Sequence, residues 1–172
     1  MTRIACLAFC LMMAGAPAFS DSFSGPYGGV QLGFATAEGS GAVSADGEGT
    51  IGGGHIGYDA DLGNYVVGGE IDFDRAELEL GNGTAEIDSV ARLKIRAGGT
   101  VGDTRVYGTF GLAHVDTSLG NDNGYVVGAG VGQQVGDWVL GGEVLFHQFD
   151  DIDGSGVDAE ATTVTFRASF QF

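Results

Sequence analysis

Cysteine is almost missing. The chain of 172 residues has two, Cys6 and Cys10, and both lie within its first ten positions. Everything downstream is thiol-free, which excludes a disulfide framework, a thiolate metal site and a cysteine nucleophile there. Bases are scarce as well: seven Lys and Arg stand against 23 Asp and Glu, a formal net charge of −16. A nucleic-acid-binding face needs clustered positive charge, so that class is excluded. Beyond the N-terminal segment no apolar run reaches 18 residues, so no helix is expected to span a membrane. Helical spacing fails too, because 33 glycines interrupt most windows. The chain is not disordered for all that: 44% of it is hydrophobic and apolar residues recur at a regular period.

The start reads "MTRIACLAFCLMMAGAPAFSDS". Arg3 supplies a positive n-region, Ile4 to Gly15 an apolar h-region, and Ala16-Pro17-Ala18 a small-x-small site. Residues 1–20 are therefore expected to be a secretory signal peptide, cleaved after Ala18 or Ser20, with one domain over 21–172. A short N-terminal anchor is the competing reading. Both cysteines leave with the peptide.

What the rest contains is alternation with period two, the mark of strands with one apolar and one polar face. It appears eight times: Tyr27–Thr36, Thr50–Ala60, Tyr65–Ala76, Ile87–Val101, Arg105–Val115, Tyr125–Val135, Trp138–Phe149, and the terminal "TTVTFRASFQF". "DLGN", "VGDT" and "VGD" are short connections; those around "AEGSGAVSADGEG", "ELELGNGTAE", "DTSLGNDN" and "DDIDGSGVD" are longer and mostly polar or acidic. Eight strands joined by tight turns and long loops in alternation predict an all-β, eight-stranded antiparallel up-and-down transmembrane β-barrel. The apolar parity then faces lipid and the polar parity fills the lumen. In the alternative, a soluble ligand-binding barrel, the apolar parity points inward.

The terminal segment stays in phase to Phe172, which puts Phe166, Phe170 and Phe172 on the lipid side. That ending resembles the signal read by the outer-membrane barrel assembly machinery. "GYVVGAGVGQQVGDWVLGGEVLFHQFD" resembles the penultimate hairpin of the small eight-stranded OmpA/OmpX-like outer-membrane barrels. The resemblance implies the outer membrane as location, its lipids and lipopolysaccharide as surroundings, and a porin-like or structural role without a periplasmic domain. It implies no cofactor and no catalysis.

The chemistry sits on the lumen parity: Glu70, Asp72, Asp74, Arg92, Lys94, Arg96, Glu143 and Arg167, with His55 beside them. A three-residue turn at Gly81-Asn82-Gly83 pairs Leu80 with Thr84, and this register sets Asp72 beside Arg92 and Glu70 beside Lys94. Charges in a narrow lumen are expected to pair. The network is then either a structural plug beneath displayed acidic loops or a gate whose pairs exchange partners to open a small channel. The many lumen glycines leave room for water. A third reading, a lipid-modifying enzyme, rests on His114 and His147 near the outer rim with Ser118 and Ser155 in nearby loops. "DIDGSGVDAE" matches the start of a calcium loop at Asp151, Asp153, Ser155 and Gly156, but Thr162 stands where the bidentate acid belongs, so no metal is expected. The pattern leaves oligomeric state open.

Overall fold

The computed structural model describes residues 23–41, 45–80, 85–117, 120–149 and 157–172, with side chains at 23–38, 47–76, 89–116, 122–149 and 159–172. Eight strands follow one another: β1 (Gly25–Gly41), β2 (Ala45–Asp61), β3 (Tyr65–Leu80), β4 (Ala85–Val101), β5 (Thr104–Thr117), β6 (Gly120–Val135), β7 (Trp138–Phe149) and β8 (Val157–Gln171). Each pairs antiparallel with the next, and β8 pairs with β1, so the barrel is closed. Closure gives every strand two partners and leaves no open edge, the condition for a sheet in hydrocarbon. At the seam the Phe172 N–H donates to Pro26 O at 3.0 Å.

Short turns gather at one end of the barrel. Gly102 and Gly136 each open a two-residue turn before an Asp, with φ of 60° and 64°. A glycine in the left-handed region at the first central position suits the tight hairpin turns that follow the twist of the strands. The strands are staggered. Stepping through paired residues from Tyr27 to Gly57, Glu70, Lys94, Gly111, Val126, His147 and Ala161 returns to β1 at Ala37, ten residues up from the start. That offset is the tilt of the strands expressed as register.

Most strands extend beyond the alternating stretches at the long-loop end. β1 reaches Gly41 and β2 begins at Ala45, so most of "AEGSGAVSADGEG" is strand rather than loop. The β3–β4 hairpin needs a second correction. Below Arg75↔Ser89 the expected register holds, with Glu70↔Lys94 and Asp72↔Arg92. Above it a bulge shifts the pairing by one, and Leu80 pairs with Ala85, not Thr84. The bulge sets Ala76 and Glu77 against Asp88 alone, and the connection spans 81–84 instead of three residues.

The faces divide clearly. Val30, Leu32, Phe34, Ile71, Phe73, Leu93, Ile95, Phe110, Leu112, Phe146 and Phe166 point outward, while Glu70, Asp72, Asp74, Arg92, Lys94, Arg96, Glu143 and Arg167 are buried inside. On β8 the outward apolar run from Val164 to Phe172 rises about 26 Å along the strand, or roughly 20 Å across a bilayer at the usual tilt. Tyr58, Tyr65, Trp138 and Phe172 ring its short-turn edge. Above Phe34, Phe73 and Phe146 the phase inverts. Outward positions become Thr36, Thr50, Arg75, Asp116, Gln148 and Glu160, and inward positions become Ala37, Ile51, Ala76, Val115, Phe149 and Ala161. Beyond the apolar belt the barrel is built like a soluble one, apolar inside and polar outside.

Candidate functional site

Among the described residues the lumen holds ten buried charges, five acids (Asp59, Glu70, Asp72, Asp74, Glu143) and five bases (Arg92, Lys94, Arg96, Arg105, Arg167), a set whose formal charge is zero. Lys94 is the hub. Its Nζ lies 2.9 Å from Glu70 Oε1, 3.1 Å from Asp72 Oδ2 and 2.8 Å from Glu143 Oε2. Arg167 bridges two of the same acids, with Nη1 2.6 Å from Glu143 Oε2 and Nη2 2.5 Å from Glu70 Oε2. Glu70, Asp72 and Glu143 offer oxygens within 4.8 Å of one another, a spacing that suits a metal ion. The ammonium of Lys94 already occupies that position, so the cation belongs to the chain.

Arg92 keeps its expected partner Asp72 but lies closer to a second acid. Its backbone opposes Asp72, yet the guanidinium reaches diagonally to Asp74, with Nη1 2.5 Å from Oδ2 against 3.6 Å to Asp72. Its Nε donates to His147 Nε2 at 2.7 Å, and Gln31 Nε2 donates to both oxygens of Asp74 at 2.8 Å. A long, tilted side chain in a staggered sheet meets the diagonal neighbour as readily as the one directly opposite.

Toward the short turns charge alternates with aromatic rings. The Arg96 guanidinium lies 4.8 Å from the Tyr27 ring centroid and 4.9 Å from that of Tyr107; Arg105 lies 5.1 Å from Tyr107 and 5.0 Å from Phe23. Asp59 binds both arginines, and Arg96 Nη1 also lies 3.0 Å from Glu70. The tyrosines lie over glycines. A Cβ at Gly57 would stand 2.2 Å from Tyr27 Oη, and one at Gly130 would stand 2.4 Å from the Tyr107 ring. These lumen glycines make seats for rings rather than room for water.

Of the residues singled out from the sequence, Glu70, Asp72, Asp74, Arg92, Lys94, Arg96, Glu143 and Arg167 come together in this network. His55 is buried beside it, with Nε2 2.7 Å from Ser169 Oγ and its ring tilted 6.1 Å from Tyr27, and it bonds to none of the charges. His147 is not a rim residue: it is buried against Arg92, whereas His114 faces outward and meets Asn123 Oδ1 at 2.9 Å. The two histidines lie on opposite sides of the wall, and only His114 faces outward. Ser118, Ser155 and the Asp151, Asp153 and Gly156 loop lie outside the described residues, and Thr162 sits within β8. Sequence reasoning missed Gln31, Asp59, Arg105, Tyr27 and Tyr107. Asp59 shares the parity of His55 on β2, and the other four lie opposite the apolar parity of β1 and β5, which was the available signal. In the aromatic cluster of β8, Phe166 and Phe172 face outward, while the partly buried Phe170 packs edge-on to Trp138 at 5.3 Å and to Phe172 at 5.5 Å.

Above the network the lumen is apolar. Ala35, Ala37, Ile51 and Ala76 form one cluster, and Val90, Ala113, Val115 and Phe149 another. Arg92 and His147 line the cavity between them.

The pattern of the outer membrane protein beta-barrel domain matches residues 5–172. The chain belongs to that family. No curated protein matches it. Among solved structures, this outer-membrane barrel is similar in fold to Neisserial surface protein A (NspA), at 15% identity and a TM-score of 0.57, over 87% of this chain and 98% of that one. Ail, the attachment invasion locus protein of Yersinia pestis, matches at 13% identity and a TM-score of 0.48, over 86% of this chain and 99% of that one. The barrel thus sits in the outer membrane, with its outward apolar belt against lipid and its ten charges within.

Proposed function

We propose that the protein is a structural, surface-displaying outer-membrane barrel whose lumen is closed by a charge plug. The balanced set of ten buried charges carries this reading: every acid has a basic partner, and eight strands enclose an interior that side chains just fill. The apolar layer above the plug adds a zone that water enters reluctantly. Export follows from the signal peptide at residues 1–20. The short turns face the periplasm and the acidic connections face outward, in contact with lipopolysaccharide. Assembly uses the barrel assembly machinery, with Phe166, Phe170 and Phe172 of β8 as the recognised cluster. The protein is non-catalytic.

One observation favours a channel as the second reading. Lys94 touches three carboxylates and Arg167 two of the same, so alternative pairings lie within reach without any backbone movement. Planar-bilayer recording separates the two. The plug reading expects no steady conductance from wild-type protein whose heat-modifiable gel migration shows a closed barrel. Persistent wild-type openings would replace the plug with the gate.

A further inference from the structure

Phe23 precedes β1, and it is the one residue ahead of the sheet whose side chain lies wholly inside the barrel among those described, at 0% exposure. The other buried phenylalanine described, Phe149, belongs to a strand. Phe23 packs on Val66 and Val139, the first inward residues above two of the short turns. Its backbone takes φ 71°, a conformation that a bulky side chain adopts only where its surroundings hold it there. Gly25, two residues on, has φ 112°. Together these turn Phe23 and Ser24 back across the mouth of the barrel instead of away from it.

The ring completes a column. From the middle of the lumen downward come Tyr27, Arg96, Tyr107, Arg105 and then Phe23, guanidinium and ring in alternation, with centroid distances of 4.8, 4.9, 5.1 and 5.0 Å. Arg105 thus has a ring on each side and Asp59 as its counter-ion. Cation–π contact gains strength once water is excluded, and Phe23 is the last ring of the column at this end.

We propose that Phe23 is a tethered stopper: it closes the short-turn mouth of the barrel and shields the Arg96–Asp59–Arg105 group from bulk water. This goes beyond the plug, which concerns the middle of the lumen, and it stands or falls separately, because its readout is local to the mouth.

The scarcity of thiols supplies the test. Val139→Cys places a single reporter behind Phe23 in the full chain, and mass spectrometry distinguishes its modification from that of Cys6 or Cys10. Labelling in detergent by a sulfonated maleimide is expected to be at least tenfold slower than at Val101→Cys, an exposed position at the end of β4. Phe23→Ala should bring the Val139→Cys rate to within a few-fold of that control, and Phe23→Leu should retain most of the protection. Equal rates with Phe23 and Phe23→Ala, or fast labelling in both, overturn the proposal. Should Phe23→Ala fail to form a closed barrel, 4-fluorophenylalanine at position 23 in an otherwise wild-type chain decides. Its fluorine resonance is expected to show almost no shift between H2O and D2O, and a full solvent isotope shift overturns the stopper.

Discussion

The two halves of this barrel are built on opposite plans. Within the apolar belt the outward positions are Leu32, Ile71, Leu93 and Phe166, and the inward ones are Gln31, Asp72, Lys94 and Arg167. Above the belt the same strands carry Thr50, Asp116 and Glu160 outward and Ile51, Val115 and Ala161 inward. Closure is unchanged across the boundary, and the register shifts by one only where β4 pairs with β3 and β5. What changes along every strand is the surrounding medium. In lipid an apolar exterior costs nothing, and the polar groups must satisfy one another inside. In water the hydrophobic effect returns the apolar residues to the interior. The inversion therefore marks where the strands leave the membrane.

Lys94→Ala should break the inner plan most severely. It leaves Glu70, Asp72 and Glu143 facing one another without their central cation, and removal of one member of a buried charge set costs roughly 3–5 kcal/mol. Denaturant unfolding from lipid vesicles measures this; a loss below about 1 kcal/mol would mean the plug is hydrated and loosely held. The outer face gives the next largest contrast. Leu93→Arg, in the belt, should cost roughly 2–4 kcal/mol in bilayers, while Thr50→Arg, above it, should shift stability by less than about 0.5 kcal/mol. Equal costs would erase the boundary placed between them.

In the upper lumen, Ile51→Ala is expected to cost about 2–3 kcal/mol, because it opens a void in an apolar cluster. A neutral result there would show that the upper cluster is not packed as a core. The smallest effect is a coupling. Arg92→Ala and Asp74→Ala should be non-additive by about 1–2 kcal/mol, with the double variant less damaged than the singles predict, whereas Arg92→Ala with Asp72→Ala should couple more weakly. Stronger coupling to Asp72 would restore the directly opposed pair.

How much of this was legible follows from the same inversion. Alternation reports faces only while the medium stays constant, so eight strands and the lipid-facing set were readable inside the belt. Above it Ala37, Ile51 and Ala161 keep the inward parity but change character, and the polar, glycine-rich stretches beside them resemble loops. The register of Glu70 with Lys94 came out right because the one-residue shift at the bulge cancels the difference between the expected three-residue turn and the connection over 81–84. The bulge itself was not, since nothing in "RAEL" marks an extra residue. Arg92 was placed on the right face and opposite the right acid, but its shorter contact, with Asp74, was not readable, because register fixes Cα neighbours while a long side chain selects among diagonals. Phe23 had no period to belong to, and only the closed barrel gives it a neighbourhood.

The zero sum of the lumen has a consequence for permeation. Among the described residues five buried acids meet five buried bases. A net field of one sign is what lets a pore choose between cations and anions, and this interior has none. Any leak that opens through a damaged plug should take its ion preference from the charge that was removed. Lys94→Ala leaves an excess carboxylate and should pass cations, whereas Glu143→Gln leaves an excess base and should pass anions. Reversal potentials in asymmetric salt would then tell whether an acid or a base is missing, from the sign of a voltage alone.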